Sequence, residues 1–207
     1  MSEPDLELDL AWQRHVSTDR RPLDGLLVRH REKHRRYHTA VHMARVVRHV
    51  EDLAASEPVQ ALAEVVAAAF YHDAVYEPTH PANERASARL ARRDLTALGW
   101  SDDAVDRVAA MIEATAHGAA ADPGGDTAVL LDADLAILGA EPAAYSTYVE
   151  QVRSEYRHLD DDEWRVGRSQ VLHSFLDRHA IFSTSTGRER WESRARANVT
   201  AELATLP

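Results

Sequence analysis

The pair His72-Asp73 lies at the end of Val59 to Ala74, the most apolar helical segment of the chain. A chain with 12 histidines and 18 aspartates contains about one such pair by chance, so its position gives it weight rather than its existence. An imidazole and a carboxylate at the edge of a core need partners, because burying a polar group unpaired costs roughly 1 to 3 kcal/mol or more. A hydrogen-bonded cap on the helix end would meet that need, and so would a metal ion. A second set of imidazoles comes from the run Arg35-Arg36-Tyr37-His38-Thr39-Ala40-Val41-His42. In a helical turn His38 and His42 share one face, a separation that suits ligation of one metal or contact with one anion. His42 borders the apolar stripe through Val46, whereas His30 and His34 sit among Arg29, Arg31, Lys33 and Arg35 and read as part of a solvated basic face. In the stretch from Leu130 to Leu138, Asp132 and Asp134 interrupt an otherwise apolar sequence. Residues two apart on a helix point in nearly opposite directions, so both cannot face one site without a break in the helix, and periodicity does not choose between them.

These residues need helices to hold them, and helical signals dominate the chain. No run of alternating β-branched residues makes a strand. Met43, Val46, Val47, Val50 and Leu53 give the segment from Thr39 to Ala54 an inward stripe, and Val59 to Ala74, apolar on nearly every side, reads as a central helix enclosed by others. Further helices are expected over about 6 to 17, from Pro22, over Ala82 to Leu98, from an N-cap at Ser101 to about His117, and over Thr127 to Leu138. Three more are expected near 142 to 159, 162 to 179 and 188 to 205. The 207 residues read as one all-α domain.

Composition narrows the function classes. With 44% apolar and 28% charged residues the chain is globular, and its longest uncharged apolar stretch, Val65 to Tyr71, is too short to span a bilayer. A net charge of −10, with Lys33 the single lysine, argues against a nucleic-acid or anionic-membrane partner, although a local arginine cluster can still hold one phosphate. The lack of cysteine rules out disulfides, thiolate metal sites and cysteine nucleophiles together. The acidic stretch from Met1 to Leu10 has no basic n-region or apolar h-region, so no secretory signal is read there and the expected location is the cytoplasm.

Taken in order, His42, the His72-Asp73 pair and an aspartate about sixty residues later put two imidazoles and two carboxylates on three helices. This pattern resembles the HD superfamily of metal-dependent phosphohydrolases, whose ligands are a histidine, a His-Asp pair and a distal aspartate. His42-Met43-Ala44-Arg45-Val46 is similar to the family's histidine followed by an arginine-valine step, and Ala133-Asp134-Leu135 to its distal aspartate phrase, which selects Asp134 over Asp132. The wider set Arg36-Tyr37-His38, His72-Asp73-Ala74-Val75-Tyr76, Asn83-Glu84, Ser87 and Asp132-Ala133-Asp134 is similar to a poorly characterised bacterial branch of these proteins. The likeness covers about residues 30 to 140 and implies an HD-like helical bundle with additional C-terminal helices over 141 to 207.

The resemblance implies His42, His72, Asp73 and Asp134 as ligands of a divalent ion. Nitrogen and oxygen ligands without sulfur suit manganese, iron, nickel, cobalt, zinc or magnesium, and ligand type does not choose among them. The implied reaction is attack of a metal-activated water on a phosphate ester of a small molecule, which includes nucleotides. Arg36 is the first choice to grip the phosphate and His38 the second. Glu84 and Glu77 are the candidates for general acid or base, Glu84 ahead, although a first-turn carboxylate also favours a helix dipole. His117 would contact substrate, bind a second metal or cap its helix. Arg153, Glu155, Tyr156, Arg168 and Arg196 read mostly as surface ion pairs. Two other functions fit the scaffold: a non-catalytic module that binds a nucleotide or a partner, and a di-iron oxygenase. The latter needs further histidines before the distal aspartate, and that interval holds only His80 and His117.

Overall fold

A computed structural model describes residues 3–79, 82–116 and 124–206, and every regular element among them is helical. The chain is all-α, as the periodicity predicts. Helix α3 (Ala40–Ala54) buries the whole stripe read from the sequence, with Met43, Val50 and Leu53 fully inside. Helix α4 (Leu62–Tyr71) has no exposed side chain from Val65 to Tyr71, because α1 (Glu3–His15), α3, α5 (Asn83–Ala97), α6 (Asp102–Ala114) and α7 (Gly125–Leu135) all pack around it. Trp12 of α1 meets Phe70 edge to face with ring centroids 5.1 Å apart. Each such fully buried side chain contributes about 1.5 to 3 kcal/mol through removal of apolar surface from water. Helix α2 (Arg21–Arg29) adds Leu23, Leu26 and Leu27 to the same core.

A second core gathers Leu138, Tyr145, Leu172, Phe175, Phe182 and Val199 from the C-terminal elements. These are α8 (Pro142–Glu155), α9 (Asp161–Leu176), the short α10 (Ser185–Gly187) and α11 (Ser193–Thr205), with a π turn at Arg188–Glu192 between the last two. A 3-10 turn, Ala136–Gly139, joins the two cores. It runs so close to the π turn that a Cβ on Gly139 would stand 2.5 Å from Cβ of Trp191. No described helix is long and apolar enough to cross a membrane.

Several helix ends differ from the expected ones, for local reasons. The segment before Leu62 stays outside α4 because Asp126 accepts the amide hydrogens of Gln60 and Ala61 at 2.8 and 2.9 Å, giving those donors a partner without a helical turn. The apolar run expected to reach Leu138 as α-helix tightens into the 3-10 turn after Leu135. Asp160 caps α9 in a reciprocal box with Glu163, and α9 ends at Leu176, where Arg196 takes the carbonyls of Leu176, Arg178 and His179.

Candidate metal centre

Three helices deliver the site. His42 lies in the first turn of α3 on its buried side, His72 is the C-cap of α4 with Asp73 next to it, and Asp134 stands in the last turn of α7. His42 Nε2 and His72 Nε2 approach to 3.2 Å. Asp73 Oδ2 lies 3.3 Å from the first nitrogen and 3.1 Å from the second, and Asp134 Oδ1 lies 3.2 and 3.6 Å from them. Donor atoms that share one ion at about 2.0 to 2.2 Å stand roughly 3.0 to 3.5 Å apart, so these spacings fit a common metal. His42, His72 and Asp134 form the one group of three or more such donors, among the described residues, close enough to hold an ion together.

The surroundings prepare these atoms for ligation. His72 Nδ1 bonds the carbonyl of Ala69 at 2.9 Å, which leaves Nε2 to face the cluster, the arrangement by which a backbone carbonyl orients a metal-binding imidazole. His42 Nδ1 is buried without a hydrogen-bond partner. Burial opposes a charge on His72, but Asp73 and Asp134 outweigh it and raise its pKa well above the usual value. Both carboxylates are pulled the other way: burial disfavours their charge, and the neighbouring imidazoles hold them below the ordinary range. His42, His72 and Asp134 could together hold a metal ion, with Asp73 beside them.

The cluster borders a cavity of about 60 Å³. Tyr37, His38, Glu84 and Thr115 form its polar wall, and Leu135, Ile137, Leu138, Tyr148 and Phe175 its apolar one. That volume admits a few water molecules or one phosphoryl-sized group. Glu155, at the end of α8, holds the wall in place. Its Oε1 accepts the amide hydrogens of Arg36, Tyr37 and His38 at 2.6, 2.8 and 3.0 Å. Its Oε2 bonds His38 Nδ1 at 2.7 Å and accepts the Tyr76 hydroxyl at 2.9 Å. Burial would raise the pKa of Glu155, yet His38 and the backbone donors bring it down to about 2. Burial likewise opposes a charge on His38, and Asp73 with Glu155 raises its pKa nonetheless. From below, the buried guanidinium of Arg35 donates to the carbonyls of Asp73, His38 and Ala74 at 2.8, 3.1 and 3.3 Å. Ser87 clamps the backbone of Val75, and the Asn83 amide does the same for Glu77, so the motif residues of α5 set the turn that follows His72-Asp73.

The expected site residues separate into three groups. His42, His72, Asp73 and Asp134 come together, and His38 and Glu84 line the adjoining cavity. Arg36 and Glu77 are exposed and do not line it; the Arg36 guanidinium turns back onto the carbonyls of Lys33 and Arg35. His117 and His80 lie outside the described residues. Asp132 is fully buried on the opposite side of α7, where it accepts the amide hydrogens of Ser183 and Thr184 and the Thr184 hydroxyl. The two aspartates thus serve different sites, as their spacing requires.

Four residues correct the expectation of surface chemistry. His30 and Arg35 are buried rather than parts of a solvated face, and Glu155 and Arg168 are buried rather than surface ion pairs. Arg168 and Glu202 form a closed pair between α9 and α11. Glu155, which holds the cavity wall, is the residue whose burial and partners the sequence did not reveal. Its partners lie far away in sequence, and on an amphipathic helix its type reads as solvent-facing. Compared with known proteins, the chain matches no family model, no curated protein and no solved structure.

Proposed function

We propose that the protein is a metal-dependent phosphohydrolase, of the HD type its sequence resembles, acting on a phosphate ester of a small molecule. One observation carries this: His42, His72 and Asp134 bring nitrogen and oxygen donors close enough together to share one divalent ion, and Asp73 Oδ2 stands 3.3 and 3.1 Å from the two imidazole nitrogens. His42, His72, Asp73 and Asp134 would hold it, and the donor set is compatible with manganese, iron, nickel, cobalt, zinc or magnesium. Bound there, the ion supplies a water of lowered pKa and a Lewis-acid contact for a phosphoryl oxygen.

The chain's own residues supply the rest. With Nδ1 committed to Glu155, His38 has Nε2 left for substrate, and its raised pKa favours the cationic ring that a phosphate oxygen prefers. Glu84, half-buried on the same wall, would take a proton from the attacking water or give one to the leaving oxygen. Glu77 and Arg36 have no such placement and are left without a role in the reaction. The apolar wall excludes water from the far side of the cavity, which strengthens every charge interaction inside it.

The test is metal analysis of the purified protein, together with phosphate release from a panel of nucleotides, sugar phosphates and simple phosphate esters. Metal-dependent release is expected, and His72→Ala and Asp73→Ala are expected to abolish it while helicity by circular dichroism stays unchanged. Stoichiometric metal with no release from any compound would instead mark a non-catalytic binding module, and two irons per chain would point to an oxygenase.

A further inference from the structure

Helices α2 and α5 leave a cleft of about 320 Å³ between them, against about 60 Å³ at the metal centre, and the two share no lining residue. Sites for small organic molecules begin at about 300 Å³. The floor of the cleft is apolar, with Leu26 and Leu90 buried in it. Gly25 stands on its α2 side. A glycine inside a helix destabilises it relative to alanine, so a glycine kept there commonly answers a need of packing or of binding. Packing is not the reason at Gly25, because its backbone is ordinary helix and no atom of another element stands within 4 Å of where a Cβ would be. What the missing side chain does is hold the cleft open.

Charge along the cleft is unevenly answered. Arg21, one turn before Gly25, donates to the two oxygens of Asp19 at 3.0 and 3.1 Å. Arg93 of α5 donates to one oxygen of Asp94 at 2.8 Å, and the other oxygen accepts the Tyr71 hydroxyl at 3.2 Å. Arg29, one turn after Gly25 on the same face of α2, is half-buried, and its guanidinium makes no hydrogen bond or ion pair among the described residues. Three guanidinium groups and two carboxylates thus line the cleft and leave one positive charge over. A guanidinium takes a carboxylate through two parallel hydrogen bonds. We propose that this cleft is a binding site separate from the metal centre, for a small organic carboxylate whose apolar body lies on Leu26 and Leu90 beside Gly25 and whose anionic group is held by Arg29. The proposal does not depend on the phosphohydrolase reading.

The probe is 2-naphthoate, a carboxylate on a flat apolar body, titrated calorimetrically into the full-length protein. One molecule per chain is expected to bind. Arg29→Gln keeps most of the reach and loses the charge, and it is expected to bind about tenfold more weakly, the loss typical of a hydrogen bond to a charged group. Gly25→Leu puts a side chain into the cleft and is expected to weaken binding by at least as much. Its melting temperature should be unchanged or higher, because leucine favours a helix more than glycine does, so the weaker binding is not a loss of fold. His72→Ala should bind 2-naphthoate as wild type does, which separates the cleft from the metal centre. Wild-type affinity in Arg29→Gln or Gly25→Leu would overturn the proposal. So would loss of binding in His72→Ala, and so would a wild-type protein that binds no 2-naphthoate.

Discussion

Two of the places where the protein buries charge settle it in different ways. Between α9 and α11, the Arg168 guanidinium meets both oxygens of Glu202 at 2.7 and 3.0 Å, and the Tyr145 hydroxyl completes the group at 2.5 Å. One cation faces one anion there, and nothing further is required. Between α3, α4 and α7, two carboxylates and two imidazoles converge, and no arginine or lysine is bonded to the converging atoms among the described residues. The first cluster is complete as folded, whereas the second could take up a metal ion. Burial and charge are common to both clusters; a bonded arginine is present in the first and, among the described residues, absent from the second.

Breaking the closed cluster should have the largest effect on stability. Arg168→Leu leaves Glu202 buried with its main partner gone, and such a loss costs about 3 to 5 kcal/mol. Urea denaturation should show it, with metal content per folded chain unchanged. The two aspartates of α7 sharpen the contrast. Asp132→Asn weakens a carboxylate that accepts three hydrogen bonds, so it should cost about 1 to 3 kcal/mol and leave metal binding intact. Asp134→Asn should do the reverse: the metal is lost, and the metal-free protein melts no lower than wild type.

Acid should reveal a related asymmetry. His30 and His49 are held uncharged by burial, with pKa values lowered from 6.5 to about 3 and about 4. Because the unfolded chain binds these protons first, their contribution is fully present above pH 6.5 and is lost progressively as pH falls toward 4. His158, His173 and His179 of the C-terminal region are exposed. The denaturation midpoint should therefore fall between pH 7 and pH 5, and His30→Leu should flatten that fall. The smallest effect belongs to Arg36→Ala, which should change stability by no more than about 0.5 kcal/mol. Phosphate release should stay close to wild type, because the guanidinium bonds only its own loop.

Local patterns made much of this arrangement legible in the sequence. The stripe of α3 and the wholly apolar α4 could be read because helical periodicity is local, and the His-Asp pair was informative because it ends the most buried segment. Periodicity also showed that Asp132 and Asp134 must part company, while only the resemblance to HD proteins said which one faces the ligands. What stayed hidden depends on contacts across the chain. His30 and Arg35 sit in a dense run of charges that looks solvated, yet α2 and the turn after α4 close over them. Glu155 and Arg168 lie on amphipathic helices whose polar faces look exposed until Tyr76, His38 and Glu202 are seen opposite. Asp132 finds its partners in the Ser183-Thr184 turn, a segment with no periodic signal of its own.

The central claim, that the α3–α4–α7 cluster is a metal site, is tested most directly by elemental analysis after equilibration with manganese and removal of free ion. Wild type and Asp132→Asn should each retain about one ion per chain, and His72→Ala and Asp134→Asn should retain none. Equal metal content in all four proteins, or none in wild type, would contradict it.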